Sequence, residues 1–367
     1  MSFLAAFFHF IADFVNAFIK PLAPYFIDKL NIDNRTFASF IALIGGLTSL
    51  FQILFGAYFD KKTRDGLYIT IIVILEILLV SFFGFINSFL LFFILVTSTR
   101  LLNSAFHPVG ASFAGRTQKG KHIALFSVAG TLGAGVAPLF ITFYHNSVGL
   151  EKIYFFTIPL IIFVLIVSKK IIPYKKETAN SVKTLSFKGD ILKLFPIFLI
   201  VMTRSFAMGA FHTYIPIYMN SIGSSIVIGG SVLTTGMLLG VFTNYLGTII
   251  LEKTNPKLTN SIGFLGMGIF GLLFVFIPNI TFKIVSFVLF DGFSFFTMSS
   301  NIVSAQKLLP NNKAFASSIS MGFSWAIGNF LLSGYSAIFG NNVMFMLLSA
   351  SIAVLITLFI YVLTVKS

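Results

Sequence analysis

The sequence contains no cysteine and few charged residues. Without cysteine, disulfide bridges, thiolate metal sites and a cysteine nucleophile are all excluded. Charged residues make up 10% of the 367 residues, whereas a soluble globular protein carries roughly 25%. Because 57% of the chain is hydrophobic and its mean hydropathy is +0.96, the composition predicts a protein that is solvated by lipid.

Recognisable catalytic patterns are also missing from the sequence. There is no His-Glu-x-x-His zinc motif, no Gly-rich phosphate-binding loop and no pair of carboxylates on adjacent helical turns. We therefore expect no catalytic residues, no metal ion and no cofactor. The lack of a nucleotide-binding loop also argues against a pump driven by ATP in the same chain.

The net charge of +14 resides mainly in loops. Most Lys and Arg residues fall in alternate loops, such as residues 61–64, 116–121 and 169–193, and the intervening loops carry few. This is the positive-inside pattern of membrane proteins, so both termini and the central loop are predicted to be cytoplasmic. We expect no nucleic-acid partner, and we expect a monomer in the plasma membrane.

Long apolar runs dominate the chain, and a membrane helix needs about 20 such residues. About twelve runs qualify: 3–27, 36–58, 67–87, 88–113, 122–145, 152–172, 191–219, 225–250, 258–277, 282–307, 313–339 and 342–365. The first run is too long and too rich in polar groups for a cleaved signal peptide. We predict an all-α membrane protein with an N-terminal six-helix bundle (1–172), a basic cytoplasmic linker (173–190) and a C-terminal six-helix bundle (191–367).

Four charges lie inside these apolar runs, in two pairs with one spacing. Asp13 and Arg204 are 191 residues apart, and so are Arg100 and Asp291. A charge in the middle of a membrane span is costly and marks a functional site. The shared spacing indicates two similar halves, as in transporters whose parallel repeats hold the substrate near the midplane of the bilayer.

The first predicted span also carries a polar stripe. Its members recur every three or four residues and so share one helical face: His9, Asp13, Asn16 and Lys20. Asp13 and Arg100 lie at similar depths, so we predict an ion pair in which Asp13 is the proton site and Arg100 modulates it. Arg204 and Asp291 are predicted to pair in the same way. The alternative is a static polar network that only ties helices together.

The other polar residues of the spans have less specific predicted roles. Glu76 is a second candidate for carrying protons, or it bonds to neighbouring helices. The residues predicted to line the substrate cavity are His9, Asn16, Lys20, His107, Arg204, His212, Tyr214 and Asp291. At the cytoplasmic end, a charged gate is predicted from Gly56, Asp60, Lys61 and Arg64.

The loop after the second span resembles the signature of the major facilitator superfamily, Gly-x-x-x-Asp-[Arg/Lys]-x-Gly-[Arg/Lys]. Gly56 to Arg64 follows that pattern except at Thr63, where the family has glycine. The resemblance implies twelve helices in two bundles and alternating access. In antiporters of this family an arginine of the fourth span lies near the proton carboxylate, and Arg100 fits that position.

A finer resemblance concerns one branch of that family. The stretch Phe106–Pro108 and the small-residue run Gly130–Pro138, together with His9 and Asp13, are similar to the fosmidomycin resistance proteins. This branch implies proton-driven export of small drugs or metabolites. Asn103 departs from the residues that antiporters usually have after the arginine.

We therefore expect a secondary active transporter that exports small organic compounds in exchange for protons. The alternative is a proton symporter that imports a sugar, an organic anion or an amino acid. A transporter-like receptor that binds without flux is a third hypothesis. Because no catalytic constellation is present, an enzyme is not expected.

Overall fold

Every regular element of the computed structural model is a helix, within the residues that it describes: 2–115, 120–174, 187–309, 316 and 319–365. At some helix ends, Asp60 among them, only the backbone is described. A π-helical turn lies at Ile319–Phe323. The α-helices are α1 Ser2–Asn16, α2 Ala23–Leu30, α3 Asn34–Asp60, α4 Asp65–Val80, α5 Phe89–Gly115, α6 Gly120–Ser147, α7 Tyr154–Ser168, α8 Phe187–Ser221, α9 Ile226–Lys253, α10 Pro256–Phe276, α11 Ile280–Phe296, α12 Met298–Leu308, α13 Ser324–Phe339 and α14 Val343–Thr364.

Ten helical segments of the described residues are long and apolar enough to cross a membrane. The predicted all-α membrane fold is thereby confirmed. Two of the twelve predicted spans are shorter than expected. The first is divided into α1 and α2, and the eleventh is represented by α13, whose 16 residues follow a stretch that lies largely outside the described residues.

The break in the first span occurs around Pro21. The helix α1 ends at Asn16, and α2 begins at Ala23. Between them the backbone makes tight turns, in which Leu22 N–H donates to the Ile19 carbonyl and Ala23 N–H donates to the Lys20 carbonyl. Proline has no N–H to donate to the preceding helical turn. The prediction of one continuous helix over 3–27 is therefore wrong, and Lys20 lies beyond the helix that carries the rest of the polar stripe.

Two glycines of α6 let α1 approach closely. A side chain at Gly133 would collide with the backbone of Phe10, and one at Gly130 would collide with the imidazole of His9. Small residues at such crossings allow helices in membranes to pack backbone against backbone. The packing brings α1 close to α6 and holds His9 at that contact.

The chain forms two compact units, and each takes segments from both halves of the sequence. Unit 1 consists of Met1–Asn31, Leu50–Ser181 and Ser225–Thr234, and unit 2 consists of Ile32–Ser49, Val182–Ser224 and Thr235–Ser367. In unit 1, Leu139 N–H donates to Thr234 Oγ1 at 3.0 Å. In unit 2, Ser333 Oγ donates to the Ser39 carbonyl at 2.8 Å. The division into two sequential bundles stays a prediction, and most of the predicted linker lies outside the described residues.

Candidate functional site

A cluster of polar side chains surrounds Asp13 in unit 1. His9 and Asp13 are one helical turn apart on α1, and His9 Nε2 lies 3.1 Å from Asp13 Oδ2. From α5, His107 Nε2 lies 3.5 Å from Asp13 Oδ1, and Asn103 Nδ2 donates to the same oxygen at 3.2 Å. The cluster is partly accessible, because 18% of the Asp13 side chain and 30% of the His107 side chain are exposed.

The backbone of α6 fixes the tautomer of His9. His9 Nδ1 lies 2.7 Å from the carbonyl oxygen of Phe126. A carbonyl only accepts hydrogen bonds, so Nδ1 carries the proton, and in a neutral imidazole Nε2 has a lone pair. That lone pair would face the oxygen of an ionised Asp13. The close contact between Nε2 and Oδ2 is therefore favourable only when the His9–Asp13 pair holds an additional proton, on either partner.

Packing leaves the His9 ring little freedom. The ring stacks on Phe126 with centroids 3.9 Å apart and contacts His107 edge-on at 5.1 Å. On its other side, Gly130 provides the space that the ring occupies. A displacement of the His9 ring would therefore disturb the contact between α1 and α6 directly.

The cluster also has metal-ligand spacing. The ligating atoms of His9, Asp13 and His107 all lie within 4.8 Å of one another. Two imidazoles and one carboxylate are a donor set that suits several divalent cations. Since proton binding uses the same atoms, experiments on this cluster require a chelator control.

Glu76 and Arg100, both predicted for proton coupling, form no ion pair with the cluster among the described residues. Glu76 of α4 is fully buried, and neither carboxylate oxygen has a hydrogen-bond partner of regular geometry among the residues described, although Asn103 lies nearby. Arg100 Nε is buried, and the described residues provide no hydrogen-bond partner for it. Among the described residues no ion pair joins Arg100 to Asp13, whose charged neighbours are His9 and His107. The predicted Asp13–Arg100 pair is therefore wrong for this structure.

A second histidine–aspartate pair lies in unit 2. His212 Nε2 of α8 is 2.7 Å from Asp291 Oδ1 of α11, and Ser294 Oγ lies 3.2 Å from the same oxygen. Asp291 is fully buried, and its Oδ2 has no hydrogen-bond partner within the described part of the chain. A methyl group at Gly236 of α9 would lie 2.9 Å from that Oδ2.

Arg204 lies elsewhere in unit 2, and the described residues show no ion pair between it and Asp291. Its guanidinium carbon is 5.4 Å from the centroid of the Trp325 ring. The reason for this second wrong pairing is the same as in unit 1, because a histidine occupies the carboxylate. Tyr214 is also buried, and its hydroxyl lies beside Gly340 rather than in the His212–Asp291 pair.

The family follows from the sequence as a whole. Residues 3–333 match the Major Facilitator Superfamily. The chain belongs to the major facilitator superfamily. It is accordingly a multi-pass membrane transporter, as predicted from the loop signature, and no curated protein matches it.

Solved structures of transporters share the fold of this superfamily member. The nucleoside transporter NupG is similar with a TM-score of 0.80 at 14% identity, over 100% of both chains. A POT family transporter in complex with 5-aminolevulinic acid has a TM-score of 0.77 at 15% identity, over 99% of this chain and 95% of its own. The D-xylose-proton symporter has a TM-score of 0.75 at 15% identity, over 98% and 96%. At these identities the likeness concerns the fold alone.

The predicted gate of this transporter is only partly described. Lys61 and Arg64 are exposed, and the side chain of Asp60 lies outside the described residues. Gly56 lies in ordinary contact with Pro108 of α5, since a methyl group there would be 3.7 Å from the Pro108 Cβ. The buried acid of this region is Asp65 at the start of α4, which accepts a hydrogen bond from Ser112 Oγ at 3.2 Å.

Several residues that contribute to these sites were not predicted from the sequence. Asn103 could have been found, since it lies one helical turn before His107 and therefore on the same face. The Phe126 carbonyl has no sequence signal, because any residue could supply it. Trp325 is the chain's one tryptophan, and the prediction gave it no role. Of the predicted stripe, Asn16 remains on α1 with a buried side-chain oxygen that lacks a partner.

Proposed function

We propose that this transporter exports small organic compounds in exchange for protons, and that the His9–Asp13–His107 cluster carries the proton. The observation that supports the proposal most is the 3.1 Å contact between His9 Nε2 and Asp13 Oδ2, combined with the Nδ1–carbonyl contact that fixes the tautomer. In the observed geometry the His9–Asp13 pair holds one additional proton. Without that proton, the same geometry is unfavourable. Proton binding is thereby linked to a helix contact.

The ionisable groups around the pair come from two further helices. His107 lies on α5 and Glu76 lies on α4. The group of α6 that contacts the pair is the backbone carbonyl of Phe126, which is not ionisable. With 18% of its side chain exposed, Asp13 can exchange protons with water in this conformation. Glu76 is fully buried, so it affects Asp13 electrostatically and does not take up protons from water itself.

Alternating access completes the proposal. An exporter must release its proton to the cytoplasm and then bind the compound from that side. Loss of the proton would place the Nε2 lone pair against the carboxylate and loosen the contact between α1 and α6. We propose two sequential bundles as the moving parts, both termini in the cytoplasm, and membership of the fosmidomycin resistance branch. Export by a monomer in the plasma membrane completes the assignment.

Everted membrane vesicles with an acidic interior test the proposal. A panel of drugs and metabolites is added outside, and proton release is followed with a pH-sensitive dye in the presence of a chelator. The wild type should release protons with at least one compound, and Asp13→Asn should abolish the response. Asp28→Asn, an exposed carboxylate on α2, is the matched control and should respond like the wild type. Undiminished release by Asp13→Asn would remove Asp13 from the coupling.

The direction of proton movement separates the export hypothesis from the import hypothesis. In everted vesicles, a compound added outside meets the cytoplasmic face. An antiporter would move it inward and release protons from the lumen. A symporter would carry protons inward together with the compound and deepen the acidity of the lumen. A binder without flux would change neither, although the compound would still raise the melting temperature of the purified protein.

A further inference from the structure

Arg204 is a buried cation, and the part of the chain that the structure describes offers it no anion. It lies on α8 with 2% of its surface exposed, and neither Nε nor Nη1 has a hydrogen-bond partner among the described residues. Within the described residues, no carboxylate lies within ion-pair distance of its guanidinium. Asp291, the predicted partner, is bound to His212 at 2.7 Å instead.

Specific contacts hold the residues around Arg204 in place. Its guanidinium lies over the face of Trp325, with 5.4 Å from Cζ to the ring centroid. The Trp325 carbonyl accepts hydrogen bonds from Ser205 Oγ at 3.2 Å and from Asn329 Nδ2 at 2.9 Å. These bonds connect the backbone of Trp325 to Ser205, the residue next to Arg204. The indole ring and the guanidinium thereby keep their relative positions.

A π-helical turn precedes the tryptophan. It covers Ile319–Phe323, and Ser324 Oγ closes it by donating to the Ile319 carbonyl at 2.6 Å. Turns of this kind inside helices are rare and frequently occur at functional sites. The turn is a second, independent sign that the chain leading into α13 is shaped for something other than regular packing.

The charge balance of the site requires an additional partner. Removing an unpaired charge from water is strongly unfavourable even after relaxation. A cation–π contact offsets only part of that cost, so stacking on Trp325 alone leaves the charge incompletely compensated. Charged hydrogen bonds to an oxyanion are the usual means of compensating a buried guanidinium.

We propose that Arg204 and Trp325 form the binding subsite for an oxyanion group, a carboxylate or a phosphate, of the transported compound. The free Nε–H and Nη1–H groups donate to the oxyanion, and Trp325 holds the guanidinium plane in place. This inference rests on the proposed transport function and names the chemical class of its substrate. A phospholipid headgroup carries the same oxyanion chemistry, so the experiment includes both sources.

Intrinsic fluorescence reports on the site directly because Trp325 is the chain's one tryptophan. Purified protein in a zwitterionic detergent at a fixed pH is titrated with succinate and with inorganic phosphate, and ribose serves as the uncharged control. At least one anion should change the fluorescence in a saturable way, and ribose should not. If only vesicles containing phosphatidylglycerol produce the change, the site binds lipid and the substrate proposal fails.

Variants locate the response at Arg204. Arg204→Gln should weaken anion binding by at least about tenfold, as expected for the loss of charge-assisted hydrogen bonds. Arg204→Lys keeps the charge in a single ammonium and should bind with intermediate affinity, which keeps the test valid if the Gln variant does not fold. Arg35→Gln is the matched control, because that guanidinium is half exposed and already paired with Asp33 at 3.2 Å. Equal affinity in all variants would overturn the proposal.

The binding experiment is independent of the proton-coupling experiment. It uses no pH gradient and no flux, and its readout is the fluorescence of Trp325 rather than proton release. Loss of anion binding with intact proton release would contradict only the subsite. Intact anion binding without proton release would contradict only the exchange mechanism.

Discussion

The two histidine–aspartate pairs use the same chemistry in different surroundings. In unit 1, Asp13 is 18% exposed and is contacted by two histidines and an asparagine. In unit 2, Asp291 is fully buried and contacted by His212 and Ser294. An accessible pair can exchange its proton with water, whereas a sealed pair mainly holds helices together. The difference in exposure therefore supports the proposal that Asp13 exchanges protons, whereas Asp291 supports the α8–α11 contact.

Stability provides the largest expected difference between the pairs. Asp291→Ala removes one partner of a buried pair, and such changes cost about 3–5 kcal/mol. Asp13→Ala should cost less, because water reaches that side chain. Thermal unfolding of the purified variants should therefore show a larger fall in melting temperature for Asp291→Ala. The milder Asp291→Asn keeps an acceptor for His212 and serves as the control. Equal falls for both alanine variants would contradict the distinction between the pairs.

Glycine-to-alanine changes should perturb each pair from the neighbouring helix. Gly130→Ala inserts a methyl group into the His9 ring, and overpacking of this kind costs about 1–3 kcal/mol. His9 should shift away from Asp13, so compound-driven proton release should fall. Gly236→Ala places a methyl group 2.9 Å from Asp291 Oδ2, and it should lower the melting temperature more than proton release. Gly334→Ala, with no atom within 4 Å of the new methyl group, should change neither.

The smallest expected effect on stability concerns a carboxylate outside the membrane spans, which serves as a reference for both pairs. Asp33 precedes α3, and hydrogen bonds from Thr36 and from Asn341 lower its pKa from 3.8 to about 2. A lowered pKa in the folded state stabilises the protein above the unfolded pKa, and this contribution disappears as the pH falls through the folded pKa.

The measurement for Asp33 is the melting temperature as a function of pH. Asp33→Asn should remove the part of the acid-induced decrease that falls between the two pKa values, while the variant keeps an acceptor for the Thr36 N–H. The effect should be small because the side chain is 35% exposed. An unchanged pH dependence would show that Asp33 is not stabilised by these bonds.

Helices and intramembrane charges could be predicted from the sequence because lipid imposes strict requirements. Apolar length determines where a helix can cross, and a charge in such a run has few tolerable positions. The break at Pro21 was missed because the apolar pattern continues through it, although the two prolines nearby were a signal. The four charges do lie inside helices, with Asp13 on α1, Arg100 on α5, Arg204 on α8 and Asp291 on α11.

Pairing could not be predicted in the same way. The spacing of 191 residues matches opposite charges by depth, but an ion pair depends on the rotation of each helix about its axis and on competing partners. His9 lies one turn from Asp13, and His212 reaches Asp291 from α8. Each carboxylate therefore finds an imidazole before it finds a guanidinium. The predicted pairs took account only of the attraction between full charges. The contacts in the structure depend on which side chain lies within reach of each carboxylate.

The π-helical turn also determines the direction in which α13 begins. An α-helix advances by about 100° per residue, so the wider turn at Ile319–Phe323 changes the direction in which the first residues of α13 face, relative to Ile319. Trp325 is among those residues, and its ring lies beside the guanidinium of Arg204. Deleting one residue of the turn would rotate Trp325 by about 100° relative to Ile319, and the tryptophan would then turn away from Arg204.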